Sequence, residues 1–274
     1  MPDRTEPSPQ LPCGDAEQPL AGGRLTAGVV RVGDTVRRPA SPASEFVARL
    51  LAHLAGKGFD GCPRHLGRDQ LGRDMLSFVP GHVPPRWQRF TDDQVCRAAR
   101  LLRRLHDATR DLAPALGGEV ICHHDPGPNN TVFRDGQPVA FIDFDFAAPG
   151  DPLEDVSYLA WSWCVSSRPD RGPVTEQARQ VRALADAYGL GPAHRERLPA
   201  AIGDRLRRNE AFWRDVQDDP AASVPRARSA ELVAWTRREL AYIEASREVF
   251  VAALSAPGRL PTDRCVCRGV RNGH

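Results

Sequence analysis

The chain has 274 residues, 41% of them hydrophobic and 26% charged, with a formal net charge of +2. That length suits one large domain or two lobes sharing a cleft, and so small a charge gives no case for nucleic acid or an anionic membrane as a partner. No apolar run approaches the roughly 20 residues that span a bilayer, so no membrane-spanning helix is expected. The opening stretch, MPDRTEPSPQLPCGDAEQPL, lacks the basic-then-apolar order of a signal peptide, and residues 1–19 read as a flexible polar leader. The seven cysteines are scattered and odd in number, which fits a reducing cytoplasm better than a disulfide framework. Cys265–Val266–Cys267 has no second pair at zinc-finger spacing, and residues 257–274 are expected to be a flexible tail. Lys57 is the only lysine, so a site ordinarily built on lysine must use arginine here or do without.

GVVRV (28–32) and TVRR (35–38) are β-branched runs joined by Gly33 and Asp34, a strong hairpin signal. The next segment places Phe46, Val47, Leu50, Leu51 and Leu54 on one helical face, stopping at Gly56 and Gly58. DMLSFVP (74–80) reads as a strand, which completes a small lobe over residues 20–80. The proline-dense stretch at 81–89 is a stiff connector. Thr91 and Gln94 then form a capping box opening a helix whose buried stripe is Val95, Ala98, Ala99, Leu102 and Leu105. Further helices are expected near 152–166, 175–189, 193–217 and 229–255, giving a larger, mainly helical lobe over 90–256. Trp161 and Trp163 lie too close to share a helical face, so core packing is expected with one of them free to line a cleft. The fold class is α+β, and nucleotide sites often occupy the cleft of such an arrangement.

The large lobe carries one β insertion. EVICHHD begins as a strand and ends polar, while TVF and PVAFIDF flank a turn at Asp135-Gly136. Both turn residues tolerate positive φ, so the chain folds back there and pairs residues near 130 with 141–143. Asn130 and Asp143 should emerge together at the hairpin's open end, with Asp125 in the loop feeding it beside Pro126, Gly127 and Pro128. Two carboxylates and an amide, with no serine or cysteine nucleophile, suit a hard cation, Mg²⁺ above all. Phosphoryl transfer needs that set: a metal to neutralise phosphate charge and a carboxylate to orient and deprotonate the attacking hydroxyl.

His123-x-Asp125 followed by Asn130, then Ile142-Asp143-Phe144-Asp145, resembles the catalytic signature of the aminoglycoside phosphotransferase family, small-molecule kinases with a protein-kinase-like fold. LLRRLHDAT (101–109) and GDPLEDVSYLAW (150–161) are similar in content and order, so the resemblance covers roughly residues 20–165. It implies a bilobal fold, a β-rich N-terminal lobe on a larger helical one, with ATP or GTP as donor, Mg²⁺ as cofactor and a hydroxylated small molecule as acceptor. By the same resemblance Asp125 is the catalytic base or hydroxyl positioner, and Asn130 and Asp143 are Mg²⁺ ligands. Asp145 is a candidate for a second ion, and His123 braces the loop. His124 stands where arginine commonly precedes the aspartate, so no phosphorylated activation-loop switch is expected. The fold normally holds nucleotide phosphates with a third-strand lysine paired to a helix glutamate. Lys57 lies beyond the helix, so Arg37 or Arg38 is the candidate replacement. Strand alternation lets only one face the cleft, Arg38 by preference, with Glu45 the only acid near the helix start to pair with it.

Rival readings keep other chemistry in view. His106-Asp107 and His124-Asp125 resemble pieces of a metal-dependent phosphohydrolase, but such sites are built on helices and Asp125 lies between strands. His106-Asp107 reads instead as a buttress of the loop, His124 as a solvent-facing loop residue and Asn129 as a backbone-shaping one. A second rival keeps the fold without the transfer: a nucleotide- or drug-binding immunity protein. The arginines after residue 165 mildly disfavour a polycationic acceptor.

Overall fold

A computed structural model of the protein describes residues 16–20, 27–85, 88–220, 222 and 224–256. The expected tail at 257–274 and most of the expected leader lie outside the described residues. The first lobe is a five-stranded antiparallel sheet in the order β1-β2-β3-β5-β4, from strands Gln18–Pro19, Val30–Val32, Thr35–Arg38, His65–Arg68 and Asp74–Ser77. The Gly33-Asp34 hairpin is present, with Val30 opposite Arg37 and Val32 opposite Thr35. Helix α1, Ser44–Gly56, lies between β3 and β4 and buries Val47, Leu50, Leu51 and Leu54. Two strands of this lobe have no clear sequence signal. β1 sits at the end of the expected leader, and β4 carries Gly67 and a register break against β5. Glycine in a strand marks such an irregularity and hides the alternation that would announce the element.

The second lobe is built on α2, Asp92–Thr109, whose capping box is formed as expected: Gln94 N–H donates to Thr91 Oγ1 and Thr91 N–H to Gln94 Oε1. Its stripe of Val95, Ala98, Ala99, Leu102 and Leu105 is buried. Around it stand β6 (Val120–Cys122), β7 (Thr131–Arg134), β8 (Gln137–Phe141), β9 (Ala148–Gly150), and helices α3 (Pro152–Leu159), α4 (Val174–Tyr188), α5 (Pro192–Asp218), α6 (Arg226–Ala245) and α7 (Arg247–Ser255). The expected single helix over 229–255 is thus two, separated where Ser246 leaves helical dihedrals. The expected helix over 152–166 ends early in a π-turn, Ala160–Cys164. The wider turn changes the angular phase, and Trp161 and Trp163 are both buried. Trp161 stacks on Trp235 and Trp163 donates its Nε1–H to the Pro126 carbonyl at 3.1 Å, so neither lines a cleft. No helix among the described residues is long and apolar enough to cross a membrane.

The connector is fastened to the β insertion. His82 and Phe133 exchange backbone hydrogen bonds of 3.0 and 2.8 Å. Gly81 makes this approach possible: its φ is +145°, and a Cβ there would lie 2.3 Å from the Phe133 carbonyl oxygen and 2.6 Å from Val132 Cγ1. Only glycine fits both the dihedral and the space. Gly81→Ala is therefore expected to destabilise the protein by about 1–3 kcal/mol, read as a lowered denaturant midpoint.

Candidate active site

The loop after β6 is held from behind by one carboxylate. Asp155 on α3 is fully buried, and its two oxygens accept from the backbone N–H of His123 (2.6 Å), the backbone N–H of His124 (2.7 Å) and His106 Nε2 (3.0 Å). A carboxylate only accepts, so His106 Nε2 carries the hydrogen and Nδ1 takes the Tyr188 hydroxyl at 2.7 Å. Burial acts to raise the Asp155 pKa, but the His106 hydrogen bond and the charge of His124 outweigh it and hold the carboxyl at about 2. His124 sits at φ +62°, an unusual conformation for a side-chain-bearing residue. It is fixed there by Asp155, by Nδ1 against the Phe146 carbonyl (2.9 Å) and by Nε2 against Glu154 (3.4 Å). Burial of its ring opposes protonation, yet the Glu154 contact and the Asp155 charge prevail and raise its pKa.

His123 is buried against Phe144, with ring centroids 4.5 Å apart. Its Nδ1 accepts from the Asp125 N–H at 3.3 Å, which leaves Nε2–H to donate to the Ile142 carbonyl at 3.0 Å. One imidazole thereby ties the loop to the segment entering Asp143. Asp125 Oδ2 and its carbonyl both accept from Asn130 Nδ2, at 2.7 and 3.1 Å. Asp125 Oδ1 is buried and has no hydrogen-bond partner among the described residues. The hairpin brings the other carboxylate in. Thr131 lies opposite Phe141, Ile142 N–H donates to the Asn130 carbonyl at 2.9 Å, and the Asp135-Gly136 turn has φ of +51° and +73°. Asn130 and Asp143 therefore share its open end. Asp143 has φ +65°, and its pKa is raised by burial and by the charge of Asp145, with Arg38 pulling the other way.

Arg38 closes the constellation from the other lobe. Its Nη1 lies 3.4 Å from Asp143 Oδ1, its Nη2 donates to Asp145 Oδ2, and its side chain is only 10% exposed. Arg37 points the opposite way, 3.8 Å from Asp69, as strand alternation requires. Two carboxylates that share the Arg38 guanidinium, together with an amide oxygen, are a donor set for a hard cation. Asp125 Oδ1, buried, is a hydrogen-bond acceptor directed at no donor among the described residues. The residues present fit Mg²⁺.

A family model described as a phosphotransferase enzyme family matches residues 85–201. A trifolitoxin immunity protein of Rhizobium leguminosarum bv. trifolii is 33% identical over 261 residues, covering 85% of this chain and 97% of that one. The chain belongs to the aminoglycoside phosphotransferase family. Solved members and neighbours of this family share its bilobal small-molecule-kinase fold. A choline/ethanolamine kinase family protein from Mesorhizobium loti superposes with a TM-score of 0.56 at 19% identity, over 88% of this chain and 92% of that one. A spectinomycin phosphotransferase, solved with ADP and spectinomycin, superposes with a TM-score of 0.60 at 12% identity, over 82% and 91%.

Within this family fold, the sequence-predicted residues Asp125, Asn130, Asp143, Asp145, His123 and Arg38 come together, and Glu45 does not. Glu45 is 83% exposed and faces Arg49 at 3.9 Å, which corrects the expectation that it pairs with Arg38 on the nucleotide side. The neighbouring position, Ser44, is the buried one, its Oγ donating to Asp74. One residue along a helix turns the side chain by about 100°, so the acid misses the cleft by one step. His124 is also more than a solvent-facing residue, since both ring nitrogens are engaged. Asp155 was missed altogether. Its signal was an acid on the apolar face of a helix, beside Val156 and Leu159 on a sequence otherwise bound for the core.

Proposed function

We propose that the protein transfers the γ-phosphate of ATP or GTP to a hydroxyl group of a small molecule, with Mg²⁺ held by Asn130, Asp143 and Asp145. The observation that carries this reading is the unpartnered, buried Oδ1 of Asp125, placed by Asn130 next to the Asp143 mouth of the hairpin. In this reading Asp125 Oδ1 accepts the hydrogen of the acceptor hydroxyl, orients its oxygen and takes its proton as transfer proceeds. His123 fixes the backbone on which Asp125 rides. Arg38 supplies the fixed positive charge for the nucleotide phosphates that lysine gives elsewhere, as a planar fork instead of a point charge. When bound, Mg²⁺ neutralises phosphate charge. The solved neighbours support the fold, and the matching family model supports a phosphotransferase role in general.

The acceptor is best sought among neutral or weakly charged hydroxylated compounds. On α5, Arg207 and Arg208 are neutralised by Asp204, Glu244 and Glu154. Arg205, by contrast, touches the His124 carbonyl at 3.3 Å and lies over the Tyr158 ring, with its buried Nε unpartnered among the described residues. A positive group there opposes a polycation. The test is a nucleotide-consumption screen across hydroxylated small molecules. Acceptor-dependent release of ADP or GDP is expected, and a screen in which no acceptor raises nucleotide turnover argues for a different role. In the same assay series Asp143→Ala is expected to lose at least about tenfold in Mg²⁺-dependent nucleotide affinity, measured by calorimetry with and without the metal.

A second reading has a specific observation behind it. The immunity-protein relative, and the occupation of the carboxylate pair by Arg38, suit a protein that binds a toxin without transferring phosphate. The two readings part in the screen. Toxin binding that persists with no nucleotide turnover selects the second.

A further inference from the structure

The guanidinium of Arg38 occupies the two carboxylates that the proposed function assigns to metal. It is anchored in β3, where Arg38 lies opposite Asp74 in the ladder with β5. Asp74 is not an alternative seat for it, being taken by Ser44 Oγ and by Arg68 Nε at 3.2 Å. Nor does α1 offer one, because Glu45 faces solvent. Arg37, the adjacent cation, is turned to the opposite side of the strand with Asp69. Among the described residues the ion-pair partners of Arg38 are Asp143 and Asp145. The other charged or titratable neighbours felt by Asp143 are His123 and Asp125. A divalent cation seeking Asp143 and Asp145 thus meets a positive charge already in place.

We propose that Arg38 is a tethered counter-ion: it keeps the Asp143–Asp145 pair closed to free divalent cations until nucleotide phosphates draw its fork away, so that metal and nucleotide bind as a coupled pair. This rests on the phosphotransferase reading for the identity of the two ligands. Phosphate oxygens accept the same bidentate fork as carboxylates, and a polyanion offers the guanidinium more charge than the two aspartates it leaves. Removing Arg38 from the carboxylates frees two anionic ligands for the metal. Entry of the metal in turn disfavours return of the guanidinium, which then stays on the phosphates. Coupling of this kind is reciprocal: whatever factor nucleotide adds to metal affinity, metal adds to nucleotide affinity.

The experiment titrates Mn²⁺ into the full chain, reading free Mn²⁺ by electron paramagnetic resonance, alone and with saturating ADP. Wild type is expected to bind Mn²⁺ weakly alone and about 5- to 150-fold more tightly with ADP. Arg38→Ala is expected to bind Mn²⁺ alone more tightly than wild type by a similar factor, with the ADP effect on metal largely gone. Arg38→Gln carries the same expectation and keeps the test readable if the alanine variant unfolds. Arg38→Lys, a point charge that cannot span both carboxylates, should fall between. Metal-alone affinity that is unchanged in all three variants overturns the counter-ion. Failure of the phosphotransferase reading looks different: wild type then binds no ADP with or without Mn²⁺, while the metal-alone comparison still decides the role of Arg38.

Discussion

Asp125→Asn is expected to bind nucleotide as wild type does and to transfer phosphate about 10²- to 10⁴-fold more slowly. The substitution keeps shape and keeps one oxygen, so the Asn130 contact at Oδ2 and the loop backbone can survive it. What it removes is the basicity of the free oxygen. An amide at Oδ1 cannot take a proton from a hydroxyl, and if the amide turns its NH₂ toward the acceptor it presents a donor where an acceptor is needed. The loss should fall on kcat, with nucleotide affinity within about twofold of wild type, because the effect belongs to the transfer step. The measurement is nucleotide consumption with the best acceptor of the screen, beside a nucleotide-binding isotherm for each protein. Wild-type turnover in the variant removes Asp125 from the chemistry.

Asp155→Ala is expected to cost about 3–5 kcal/mol of folding stability. Three donors converge on this carboxylate, and alanine leaves all three buried without a partner. The same carboxyl gives the protein a pH signature. Its folded pKa of about 2 is below the ordinary 3.8. A depressed carboxyl contributes stability that is fully present above its unfolded pKa and is lost as pH falls through the folded one. The difference amounts to about 2 kcal/mol. Denaturant unfolding of wild type should therefore weaken between about pH 4 and pH 2, and Asp155→Ala should lack that part of the dependence. An alanine variant as stable as wild type at neutral pH contradicts the role of Asp155 as the loop's anchor.

The parts of the site legible in the sequence were those joined by a short, well-marked turn. Asp135 and Gly136 announce the hairpin, and its register then fixes that Asn130 and Asp143 meet. Alternation along TVRR likewise told Arg38 from Arg37, because adjacent strand residues must face opposite ways. Contacts made between distant segments were not legible. Nothing in the spacing of residues 123 and 155 says that one carboxylate will take two successive backbone N–H groups and a histidine from a third element. The helix beyond TVRR was legible as a helix, but the phase of its first turn was not. That phase turned Ser44 in and Glu45 out. β9 escaped notice for a local reason, since its three residues, Ala148, Pro149 and Gly150, carry no strand preference of their own and pair only because β6 is there to receive them.

The turn at Asp135-Gly136 has a further use for anyone engineering this chain. Gln94 of the α2 capping box donates to the Gly136 carbonyl at 2.8 Å, and Gln137 donates to Asp93 at 2.8 Å. The edge of the same hairpin is bound to the connector at His82. In mechanical terms the hairpin is a beam clamped at its turn and along one side, with Asn130 and Asp143 at its far end. Most hairpin tips accept inserted tags because nothing holds them. This one would transmit an insertion along a stiff beam to that far end, where a displacement of an ångström is enough to disarm a site.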